Sequence, residues 1–104
     1  MRTYIENQFK ELSEQLQSLQ SSADKVEEIA RICIVAIRNG HKVIWCGNGG
    51  SAAQSQHLAA ELVGRYKINR PAMNSISLTV DTSNLTAIGN DYGYDVVFSR
   101  QLEG

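Results

Sequence analysis

The residues whose types and spacing could do chemistry are gathered in one stretch, CGNGGSAAQSQHLAAEL, running from Cys46 to Leu62. Gly47, Gly49 and Gly50 lead into Ser51 and what reads as the start of a helix. A strand, a glycine-rich turn and a helix N-terminus together make an anion site, because the first-turn amides and the helix dipole both favour negative charge. Phosphate is the natural occupant. No lysine follows the glycines, which excludes a Walker A loop. The run GNGGSA also fits the G-x-G-x-x-A dinucleotide fingerprint, but that motif needs an acidic residue about 20 positions on, at the end of the next strand. Asp81 stands at such a place and arrives late, and a His/Glu stripe has no role in that scheme. A glycine turn without a ligand is the plain alternative, at a cost in conformational entropy that packing alone rarely requires.

His57 and Glu61 follow in the same stretch, four residues apart and so one helical turn from each other. Such a pair can chelate a divalent cation, the carboxylate can work as a base, or the two can simply form a solvated helix face. Two donors are fewer than the three or four that zinc takes from a protein. The only other histidine, His41, precedes the first expected strand. At 100° per residue, Ala52, Ser55, Leu58, Ala59, Leu62 and Val63 share one face, and Gln54, His57 and Glu61 lie opposite. His57 and Glu61 are therefore expected to face the cavity formed by the glycine loop.

The elements that must position these groups can be read on either side. Ile5, Phe9, Leu12, Leu16 and Leu19 recur at alternating steps of four and three, a narrow apolar seam of a helix that packs on another helix and is expected to build an oligomer interface. Ser21-Ser22-Ala23-Asp24 offers an N-cap for a second helix, which Asn39-Gly40 should end. Residues 42–46, KVIWC, read as a buried strand; residues from about Ser51 to Leu62 or Gly64 as a helix; residues 75–80, SISLTV, as an alternating strand. Two short helical segments are expected at 83–88 and 96–102, separated by turn-rich residues 89–94. The fold class is α/β: a helical hairpin over residues 1–40, then the first βαβ part of a parallel sheet over 41–104, in a single partial domain. Two strands make a thin sheet, and the fold looks truncated.

Composition narrows the function. The 104 residues are 42% hydrophobic, as in an ordinary globular domain, and ten basic against eleven acidic residues leave a net charge of −1. Without a basic run, binding to a nucleic-acid backbone is not expected. Charges run through the N-terminal MRTYIENQFKEL where a signal peptide needs an apolar core, and no apolar run approaches the roughly 20 residues of a membrane span. A cytoplasmic protein with no membrane contact is expected. Cys33 and Cys46 lack both disulfide density and metal-ligand spacing, and read as reduced residues packed in a helix and at a strand end.

The run CGNGGSAAQSQHLAAELVGRYKINRP, with LTVDTSNLTAIGNDYGYDVVFSRQLEG after it, resembles the phosphoheptose isomerases, which have the sugar isomerase (SIS) fold. The resemblance extends from the N-terminal helices to Gly104 and covers about the first half of such an enzyme. It implies a doubly wound parallel sheet and a homotetramer with shared active sites. By the same resemblance Asn48, Gly49, Gly50 and Ser51 match a substrate-contacting loop, and Asn90 and Asp91 match a second contact. His57 and Glu61 match zinc-associated residues, with Glu61 also the catalytic base and substrate contact. The implied reaction interconverts sedoheptulose 7-phosphate and D-glycero-D-manno-heptose 7-phosphate through an enediol, in bacterial heptose and lipopolysaccharide precursor synthesis. The family's serine- and threonine-rich phosphate loop and a later Gln and His have no counterpart here, so this chain alone is expected to be inactive. A second reading is the family's non-catalytic cousin that binds the replication initiator DnaA; that cousin carries a threonine at the second of the paired glycines and lacks the glutamate, where this chain has Gly50 and Glu61.

Overall fold

A computed structural model describes residues 1–104. The chain divides into two compact units, Met1–Val35 and Ala36–Gly104.

The first unit is helical. Helix α1 spans Arg2–Ser18, and a 3-10 turn over Leu19–Ser22 leads into α2, Ala23–Arg38, whose last turn belongs to the second unit. Spaced charges support both helices on their exposed faces, through ion pairs between Arg2 and Glu6, Lys10 and Glu14, and Glu27 and Arg31. The expected hairpin and its serine cap do not form. Ser18, Leu19 and Ala23 all have right-handed helical backbone, no side chain caps α2, and α1 does not pack along α2. The physical reason lies in the serines: Ser18 and Ser21 each donate to the carbonyl three residues back, Gln15 O and Ser18 O, both at 2.7 Å. Hydroxyls used inside the helical path leave nothing to reverse the chain, and no glycine or proline stands there to do it.

In the second unit α2 ends where Asn39-Gly40 indicated. Gly40 N–H donates to Ile37 O and His41 N–H to Ala36 O, the paired bonds of a Schellman closure. Strand β1, Val43–Trp45, and strand β2, Ser75–Ser77, pair in parallel with Ile44 opposite Ile76. Helix α3, Gly50–Val63, makes the crossover between them. It packs on the sheet through small residues: Ser55 and Ala59 of the helix and Ser75 and Ser77 of β2 are all buried. Hydroxyls fill this seam: Ser77 and Thr79 bond at 2.7 Å, Thr79 Oγ1 donates to Ala52 O, and Gln56 Nε2 donates to Thr79 Oγ1. The alternation of β2 is therefore the reverse of a simple apolar-in pattern, with its serines inward and Ile76 exposed.

β2 is shorter than the expected 75–80. Leu78 N–H still reaches Trp45 O at 2.9 Å, but β1 ends at Trp45 and offers no further partner, so residues 78–80 turn away. Helix α4, Thr82–Tyr92, is longer than expected and absorbs residues read as a turn. Asp81 caps it, accepting from Asn84 N–H at 2.9 Å, and Gly93 at φ 94° ends it. A 3-10 turn over Tyr94–Val96 leads to α5, Ser99–Glu103, where a helix over 96–102 was expected. Arg100 stacks on Tyr92 at 3.8 Å, and Gln101 Nε2 donates to Leu78 O. Val97, Leu78 and Ala59 are the buried apolar residues. Both cysteines are free, and Cys46 is exposed where strand-end packing was expected, because the chain leaves the sheet at that point. No helix is long and apolar enough to cross a membrane.

Candidate functional site

The glycine loop is locked by one hydroxyl. Ser51 Oγ accepts from Asn48 N–H at 2.8 Å and donates to Asn48 O at 2.7 Å, while Ser51 N–H donates to the same carbonyl at 3.0 Å. Ala52 N–H donates to Gly49 O. The amides of Gly49 and Gly50 donate to nothing in the chain. The anion-binding capacity read from the sequence thus narrows to these two N–H groups at the helix N-terminus, with the α3 dipole behind them. Two of the glycines are obligatory for geometry. Gly49, the residue before α3, lies at φ 55°, ψ −121°, and a Cβ on Gly47 would fall 2.6 Å from Ser51 O.

On α3, His57 Nε2 and Glu61 Oε1 are 3.6 Å apart, with the imidazole side chain 75% and the carboxylate side chain 30% exposed. His57 lies on a groove of about 690 Å³ with Ala53, Gln54 and Leu58. Leu58, expected on the buried face, is 41% exposed, since it sits at the edge of the stripe centred on Ser55 and Ala59. A second groove, about 870 Å³, runs beside β2 past Ala59, Ile76, Val80, Asn84 and Arg100. Residues 47–51 line neither groove. Six residues at 1.5 Å each put His57 roughly 9 Å along the helix axis from Ser51.

Asn90 and Asp91 occupy the last turn of α4, where Asn90 Nδ2 donates to Asp91 Oδ1 at 2.9 Å. Their segment reaches the glycine loop through Tyr94, whose Oη donates to Asn48 Oδ1 at 2.6 Å. Sequence reading passed over Tyr94, because its partner lies 46 residues away and no local pattern marks such a bond. It passed over Arg70 as well. The guanidinium of Arg70 donates to Glu61 O at 2.7 Å and Leu62 O at 2.8 Å, closing the end of α3 beside the candidate base. A basic residue placed seven positions after the helix end, just before the single proline, was the available signal.

A neutral imidazole nitrogen and a carboxylate are both zinc donors, and 3.6 Å is close enough for one cation to engage both. No third His, Cys, Asp or Glu joins them in the chain. The pair fits as half of a four-coordinate set.

A parallel strand pair joined by a crossover helix, with a glycine loop at the end of the first strand and a polar stripe on the helix, places the chain in the α/β class. The chain matches the SIS domain family over residues 4–104 and belongs to it. Among curated relatives, the phosphoheptose isomerase of Akkermansia muciniphila is 62% identical, matched over all of this chain and 55% of its own length. That of Sulfurimonas denitrificans is 53% identical, with the same coverage of both chains. Of solved structures, phosphoheptose isomerase GmhA from Neisseria gonorrhoeae superposes with a TM-score of 0.88 at 38% identity, covering 98% of this chain and 53% of that one. A phosphoheptose isomerase from Francisella tularensis gives 0.83 at 31% identity, covering 98% and 55%. The chain therefore spans about half the length of the relatives it matches.

Proposed function

We propose that this chain carries the base and the first substrate loop of a phosphoheptose isomerase acting on sedoheptulose 7-phosphate. The observation that supports it most is the His57 and Glu61 pair, 3.6 Å apart on the helix that the glycine loop opens. In this reading the Glu61 carboxylate takes the proton from the carbon beside the carbonyl, the C–H electron pair becomes the enediol double bond, and the carbonyl oxygen is protonated in turn. The carboxylic acid so formed then returns its proton to the neighbouring carbon, the former carbonyl carbon, while the hydroxyl on the first carbon gives up its proton and becomes the new carbonyl. That loss balances the proton taken up by the old carbonyl oxygen and gives D-glycero-D-manno-heptose 7-phosphate. The Gly49 and Gly50 amides, with Asn48, Ser51, Asn90 and Asp91, would hold sugar or phosphate oxygens. His57 and Glu61 would supply two donors to a zinc ion, whose Lewis acidity stabilises negative charge on oxygen. The remaining groups would come from outside these residues, within a cytoplasmic homotetramer.

The test is Glu61→Gln in the natural gene product, with zinc supplied. The amide keeps the side chain's shape and loses its proton affinity, so sugar-phosphate binding should survive while kcat falls roughly 10²- to 10⁴-fold. Zinc content is measured in parallel, because an amide oxygen is the weaker ligand. A wild-type protein that fails to isomerise sedoheptulose 7-phosphate, and instead binds the initiator DnaA, would reverse the assignment.

A further inference from the structure

Asn48 is the one loop residue that the fold holds from a distant element. Its backbone is fully engaged by Ser51, through the Asn48 N–H to Ser51 Oγ bond at 2.8 Å and the bonds to Asn48 O at 2.7 and 3.0 Å. What remains free is the side-chain carboxamide, one acceptor oxygen and two N–H donors. Tyr94 Oη donates to that oxygen at 2.6 Å. With the oxygen occupied, rotation about the terminal bond is restrained and the NH₂ group is the end left for a ligand.

Tyr94 is itself well placed to act as a strut. Gly93, at φ 94°, ends α4 and turns the chain, and Tyr94 opens the 3-10 turn that follows. Its ring lies over Gly89 in the last turns of α4, with Cδ2 3.9 Å from where a Cβ on that glycine would stand. One side chain thus spans from the turn that carries Asn90 and Asp91 to the loop that carries Asn48. Asn48 and Tyr94 are both exposed, so in the absence of the hydroxyl the carboxamide would be free to flip in water.

We propose that Tyr94 is a positioning residue that presents the Asn48 NH₂ donors to an oxygen of an anionic sugar ligand and couples the two candidate contact segments, 48–51 and 90–91. The proposal rests on the sugar-phosphate reading of the site. Tyr94 acts through Asn48 and need not touch the ligand.

The experiment compares Tyr94→Phe, Asn48→Ala and the double variant of the natural gene product. Removing one hydrogen bond of ordinary strength should raise KM for sedoheptulose 7-phosphate roughly three- to tenfold with a smaller change in kcat. In the Asn48→Ala background Tyr94→Phe should change neither constant further, because the group it positions is gone. Equal, additive effects in both backgrounds, or a loss of thermal stability with unchanged KM, would overturn the proposal. A readout independent of turnover is selective ¹⁵N labelling of asparagine. The side-chain amide pair absent from Asn48→Ala is that of Asn48, and it should shift in Tyr94→Phe; an unmoved pair overturns the contact. A wild type without isomerase activity whose Asn48 pair still shifts would defeat the assigned reaction and leave the strut standing.

Discussion

At residue scale the three glycines of the loop, alike in the sequence, separate by cause. Gly49 occupies backbone at φ 55°, ψ −121°, which side chains with a Cβ avoid. Gly47 is pinned by a backbone oxygen 2.6 Å from its missing Cβ. Gly50 has nothing within 4 Å and ordinary φ. Gly49→Ala and Gly47→Ala should therefore each destabilise the protein by on the order of 1–3 kcal/mol, whereas Gly50→Ala should leave stability nearly unchanged and act only on ligand affinity. Urea unfolding of the three variants checks this, and a Gly49→Ala protein as stable as wild type would show that the loop relaxes freely. The motif was legible because glycine spacing is local. The division of labour was not, since it depends on where Ser51 places its carbonyl. His57 and Glu61 were likewise legible as a pair from their spacing, but the link from Tyr94 to Asn48 was not.

At element scale, α3 was read almost to the residue, because a glycine start, an amphipathic period and Gly64 all agree. α4 was read short, because Gly89, Asn90 and Asp91 have turn character locally. A glycine in a helix costs about 1 kcal/mol, an amount that the Asp81 cap offsets while Gly93 supplies the stop. The end of α3 depends on a residue outside it. Arg70 donates to two carbonyls of the last turn, Glu61 O by itself and Leu62 O together with the Met73 N–H, and brings positive charge to the negative end of the dipole. Arg70→Ala should destabilise by about 1–2 kcal/mol, and Arg70→Lys, which keeps the charge but not the fork, should recover only part of it. Thermal unfolding of the two variants measures the difference. Equal stability of wild type and Arg70→Ala would mean that water caps α3 as well as the guanidinium does.

At the scale of the whole molecule, the composition and the βαβ pattern were enough to give the fold class, and the resemblance gave the family. The path of the N-terminal helices was not legible, since serine hydroxyls can cap a helix or bond within one. The apolar seam of α1 is exposed throughout, with Phe9 68% and Leu16 57% accessible. Val26, Ile29 and Ile32 of α2 are exposed as well. Apolar surface of this extent is characteristic of interfaces between chains. Sedimentation of the natural gene product should give a tetramer, and Phe9→Glu with Leu16→Glu should shift it to smaller species. A wild-type monomer at micromolar concentration would remove the seam from the interface.

β1 and β2 pair along one side each, through three residues apiece, and their other sides carry N–H and C=O groups that no strand in the chain meets. Ile44 and Ile76 stand side by side on the open face, 38% and 40% exposed. Such an edge is a template on which a further β-segment of any origin can grow, including one from an identical molecule. The 104-residue chain prepared by itself should accordingly be limited by colloidal behaviour, with turbidity rising steeply with concentration; solutions that stay clear and unassociated into the millimolar range would show the edge to be inert.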